Sequence, residues 1–221
     1  MQKAWKVDDT TLRLCQGRKN WHGSFYELGL AYAHGSLDQQ TRLHLLQYVW
    51  DDPTILGVVD DPNDFGNPWK KVESADTSDG NHLYGCIRLS TEHIVGCGSY
   101  FSSDGSFTWF GLYIPLGMLK FVYAIDYRRS ITHTGNPWTI KVDKVLAPIG
   151  VRIYREFPFK LGVVGEEAAA ISVERHMAEL TDNPGLLVPE SLFKRQSLSP
   201  YGVRSPEGLW WTGGSEKLKG D

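Results

Sequence analysis

Residues 82–114 read HLYGCIRLSTEHIVGCGSYFSSDGSFTWFGLYI, and no other stretch restricts the fold as much. Three apolar runs rich in β-branched and aromatic residues are separated by Ser-Thr-Glu and Ser-Ser-Asp-Gly. They predict three consecutive antiparallel strands over about 83–114. A first loop centred on Thr91-Glu92 sets Cys86 opposite Cys97 and Gly85 opposite Gly98. A second loop of four residues, Ser102 to Gly105, sets Gly98 opposite Trp109. Glycine inside a strand marks the close approach of another group. Three occupants of this glycine floor are open: a packed helix, the Trp109 ring itself, or a ligand. In the last case Trp109, Gly98 and Tyr113 are the platform residues.

The flanking sequence supplies helices to lay on the sheet. A strand is expected from Ser24 to Ala33 and a helix over 37–50, with Ser36 as its cap and Pro53 as its stop. Asn136 and Pro137 open a second helix. Its apolar residues Val142, Val145, Leu146, Ile149 and Ile153 form one stripe, and Pro148 lies inside it. FPFKLGVVG (157–165) reads as a buried strand, and EEAAAISVERHMAEL (166–180) as a helix. The chain is expected to be one α+β domain over 1–221, with helices packed on a mostly antiparallel sheet. An acidic loop over about 51–80 and an irregular, docked C-terminal tail over about 186–221 complete it.

Composition narrows the function classes. Net charge is −3 over 221 residues, which makes no case for nucleic acid. Pro and Gly interrupt the most apolar stretch, so no membrane span is expected. Three cysteines without an N-terminal apolar leader point to free thiols in the cytoplasm. No metal-ligand spacing, phosphate-binding loop or nucleophile motif occurs, so neither a catalytic set, a metal nor a cofactor is expected.

Charge is uneven along the chain. Between Asp51 and Gly80 there are eight acids against Lys70 and Lys71, with Phe65 and Trp69 among them. Such a segment fits a docking surface for a basic partner, with Asp60, Asp61, Asp64, Phe65 and Trp69 as contact residues.

SFYELGLAY, LDQQTRLHLLQYVWDDPTILG, HLYGCIRL, VGCGSYF, WFGLYIPLGML, NPW and FKLGVVGEE together resemble a family of uncharacterised bacterial cytoplasmic proteins. The resemblance covers about residues 20–170, and Glu166 stands where an aromatic is expected. Acidic, aromatic-rich and α+β, the chain is also similar in general character to the immunity proteins of bacterial toxin systems. That likeness implies a non-catalytic domain that binds another protein, such as a basic toxin domain. The alternative expectation is a small-molecule binder or enzyme using the Trp109 platform.

Overall fold

The computed structural model describes residues 7–65, 72–128, 131, 133, 135–170, 185–195 and 203–213. Its frame is a nine-stranded sheet in which every neighbouring pair is antiparallel. In chain order the strands are β1 (Phe25–Ala33), β2 (Ile55–Val59), β3 (His82–Arg88), β4 (Ile94–Ser103), β5 (Phe107–Pro115), β6 (Leu161–Glu166), β7 (Leu186–Pro189), β8 (Val203–Arg204) and β9 (Leu209–Trp211). Their spatial order is β2-β3-β4-β5-β1-β6-β7-β9-β8. Five helices accompany them among the described residues: α1 (Asp9–Gln16), α2 (Gln39–Trp50), α3 (Leu116–Leu119), α4 (Trp138–Glu156) and α5 (Glu190–Arg195). The protein is therefore an α+β domain, as its sequence indicates.

The expected meander is present, but its register differs. In β3 and β4, Cys86 pairs with Gly96 and Gly85 with Cys97, so Cys86 and Cys97 lie on opposite faces. The cause is the connection. Ser90 Oγ accepts hydrogen bonds from the amides of Glu92 and His93, and Leu89 N–H donates to His93 O, which makes an odd-numbered turn. A one-residue slip turns every side chain of β3 to the other face. The β4–β5 turn sits two residues later than expected, and Ser103 pairs with Thr108. Asp104 fixes it there, because its Oδ1 accepts from the amides of Ser106 and Phe107. Gly98 therefore faces Tyr113, not Trp109.

One face of the sheet carries Leu28, Leu30, Leu83, Ile87, Phe101, Phe110, Leu112 and Ile114, all buried. It packs against Leu45, Leu46, Val49 and Trp50 of α2 and Val142, Leu146, Ile149 and Ile153 of α4. The apolar stripe of α4 runs past Pro148, as expected. The caps differ from the sequence reading. Asp38, not Ser36, caps α2 by accepting from Thr41 N at 2.7 Å. Asn136 lies just outside α4 and uses its Oδ1 on Asp126 N and Trp138 Nε1.

Two segments read as irregular contribute strands. The acidic segment contains the edge strand β2, bulged beside Gly57, whose φ of 74° suits only glycine. The C-terminal segment adds β7, β9 and β8, and Trp211 is buried there. Of the helix expected over 166–180, Glu166 instead ends β6 and Ala168–Ala170 form a 3-10 turn; residues 171–184 lie outside the described residues. Among the described residues no helix is long and apolar enough to cross a membrane.

Candidate functional site

On the second face of the sheet the strand glycines seat aromatic rings from neighbouring strands. A Cβ on Gly98 would lie 2.5 Å from Cζ of Tyr113, and one on Gly111 would lie 2.3 Å from Cε1 of Tyr100. Each tyrosine can lie flat only because the strand beneath it is bare. Gly98 and Tyr113, expected as parts of one platform, are brought together; Trp109 is not. It is 1% exposed and packs among Ala31, Leu161, Val163, Leu186 and Val188, with its Nε1–H on Asp104 Oδ2 at 3.2 Å. A bulky ring on β5 was expected above the glycines, and the ring that sits there comes from four residues further along.

Beside Tyr113 the face opens into a cleft of about 360 Å³. Trp21, Phe25, His82, Tyr84 and Tyr113 form its walls, with Arg18, His22, Asp61 and Pro62 at the rim. The walls are mutually braced. Trp21 meets Tyr84 edge-on at 4.9 Å between centroids, and Phe25 meets Tyr113 at 5.0 Å. His82 stacks near-parallel on Tyr84 and on Tyr100. Trp21 is set by the end of α1. Gly17 ends the helix, a 3-10 turn follows at Arg18–Asn20, and the Trp21 indole N–H donates to Cys15 O at 2.6 Å. Asn20, buried, ties the turn down through Nδ2 to Leu14 O at 2.8 Å.

Burial sets the electrostatics of the walls. Burial, and then the Asp61 charge, push the Tyr84 phenol up; burial pushes Tyr113 well above the tyrosine range. Burial lowers His82, so its imidazole is uncharged at neutral pH, with Nδ1 2.9 Å from the Tyr113 hydroxyl. The walls are thus π faces and neutral hydrogen-bonding groups. At the mouth Arg18 and Asp61 form a loose pair at 3.7 Å, their side chains 71% and 49% exposed.

Behind the wall lies a fully buried carboxylate. Glu27, on β1, accepts from Tyr100 Oη at 2.9 Å and from Ala169 N at 2.8 Å. Desolvation, only partly offset by these bonds, raises it to about 7. A second titratable group lies on the opposite face, where Asp143 accepts from Tyr26 Oη at 2.7 Å and sits 2.6 Å from His133 Nε2. Burial raises Asp143 despite these partners, and the arrangement ties the loop before α4 to β1. Among the described residues no group of three His, Cys, Asp or Glu side chains is placed to hold a metal ion.

The residues expected as partner contacts are scattered. Asp60 is exposed, Asp61 lies at the cleft rim, and Asp64 is half-buried in the 3-10 turn that Asp61 caps. Phe65 is 2% exposed and packs beside Trp21 with Cys15, Val59 and Cys86, so it is a core residue and no surface anchor. Trp69 lies outside the described residues. Part of the acidic charge turns inward on the protein's own arginines: Asp52 pairs with Arg152, Asp79 with Arg42 at 2.6 Å, and Asp61 with Arg18.

Trp21, Phe25, His82 and Tyr84 escaped the sequence reading because three separate segments deliver them. Glu27 left a signal, being a lone carboxylate in an otherwise apolar strand. No protein-family model matches the chain, and no curated protein or solved structure is significantly similar to it.

Proposed function

We propose that the protein is a non-catalytic binding domain that recognises another protein through the aromatic cleft and the acidic rim beside it. The carrying observation is an open, aromatic-walled cleft whose titratable walls are held neutral and whose rim carries Asp61, with Asp60 exposed next to it. Aromatic clefts of this kind take the anchor side chains of protein partners, while rim carboxylates select basic surfaces. A basic toxin domain, of the sort an immunity protein neutralises, is one partner with that charge.

A photo-crosslinking residue at the exposed His22 position tests this in the protein's own cells. The expected result is a discrete protein adduct that is lost when Tyr84→Ala is added. Adducts from the α4 face instead, or adducts indifferent to Tyr84, would overturn the reading. The volume of about 360 Å³ favours a second reading, a small-molecule site, because it falls within the range of ligand pockets. Under that reading no protein adduct forms at position 22.

A further inference from the structure

Resting on the cleft as a recognition site, we infer that its occupant is a cationic side chain, foremost an arginine of the partner, and that Arg18 is its intramolecular stand-in. A cation over aromatic faces is attracted by the ring quadrupoles, and a desolvated site strengthens that attraction. Here indole, phenol and phenyl rings line one opening: Trp21, Tyr84, Tyr113 and Phe25. The rim supplies the counter-charge in Asp61. One of its oxygens, Oδ1, is occupied by the backbone and side chain of Asn63 at 2.8 and 2.6 Å. The other, Oδ2, faces Arg18 at 3.7 Å, beyond hydrogen-bond length.

The Asp61 charge is felt within the site, since it helps hold the Tyr84 phenol protonated. His82 adds no opposing charge, because burial keeps its imidazole neutral. Arg18 is the competing group. It is mostly exposed and meets Asp61 only loosely, and such surface pairs contribute little. A guanidinium arriving from a partner displaces it, taking the bidentate geometry on Asp61 Oδ2 and the Tyr84 hydroxyl while resting on the rings. The pair therefore tunes affinity: Arg18 lowers it by holding the carboxylate that the ligand needs.

The test uses the full chain and four capped tripeptides, Gly-X-Gly with X as arginine, lysine, citrulline or glutamate, measured by calorimetry at two salt concentrations. Citrulline keeps the shape and most hydrogen bonds of arginine but lacks its charge. The arginine peptide is expected to bind at least ~5-fold more tightly than the citrulline peptide, with glutamate weakest. Arg18→Ala should tighten arginine binding several-fold. Asp61→Asn, which keeps an acceptor for the Asn63 amide, should weaken it by a similar factor while the amide spectrum of the fold stays unchanged. Citrulline or glutamate binding as well as arginine would overturn the inference, and so would an Arg18→Ala variant that gains nothing. If no peptide binds while the crosslink at position 22 still captures a protein through Tyr84, the cation assignment falls and the recognition site stands. If that crosslink fails too, the recognition site falls with it.

Discussion

Adding one methyl group to Gly98 puts it 2.5 Å from Cζ of Tyr113, a ring that is 4% exposed and hydrogen-bonded to His82. Neither partner has room to yield, so Gly98→Ala is expected to cost about 1–3 kcal/mol, the usual range for overpacking. In a Tyr113→Ala background the same change should cost far less, because the clash is gone. A double-mutant cycle by urea unfolding reads this coupling directly. Trp109→Ala should cost roughly 3–5 kcal/mol, as for other fully buried aromatics, and leave peptide binding unchanged. Glu27 sets a pH dependence. Its folded-state value of about 7 exceeds the ordinary 4.5, so the folded protein binds the proton more tightly than the unfolded chain. That contribution is full below pH 4.5 and is lost as pH rises to 7, amounting to roughly 3 kcal/mol. Glu27→Gln removes it, so the stability of the variant relative to wild type should climb between pH 4.5 and 7. A difference that stays flat across that window would contradict the assignment.

At the scale of elements, the strands and helices were legible where periodicity was strong. The meander, β1, α2 and α4 all appear within a few residues of their expected limits. Register was not legible, because it is set by side chains that cap turns. Ser90 and Asp104 each move a hairpin, and the first of these moves changes which residues share a face with the glycines. The short strands β2, β8 and β9 carry too few alternations to register against their Gly- and Pro-rich surroundings. Register also decides the thiol chemistry. The expected Cys86–Cys97 pairing is replaced by Cys15 on α1, whose Sγ lies 3.8 Å from that of Cys86. All three thiols are buried; the neighbouring Cys15 thiol and burial push Cys86 up, and burial pushes Cys97 up. A thiol-reactive chromophore should therefore label none of them until the protein unfolds. If oxidation forces a bridge, peptide mapping should find Cys15 joined to Cys86 and never Cys97 to Cys86.

Across the whole molecule the two sheet faces divide the work. One face is closed by α2 and α4 and holds the main core. The other is closed at its two ends, by α1 with Phe65 on one side and by the Trp109 cluster on the other. The cleft opens between them, where Tyr113 and Tyr84 line its walls. Its composition was hidden in the sequence because proximity there comes from topology: β5 and β3 flank β4, and the end of α1 arrives from far away in the chain. The central claim is that this cleft is where the protein meets its partner. The most direct measurement is an NMR titration with a short arginine-rich peptide, reading the indole N–H signals of the eight tryptophans. The account predicts that the Trp21 signal moves first and furthest, while those of the buried Trp109, Trp138 and Trp211 stay in place. A largest shift at any tryptophan away from the cleft, with Trp21 unmoved, would contradict it.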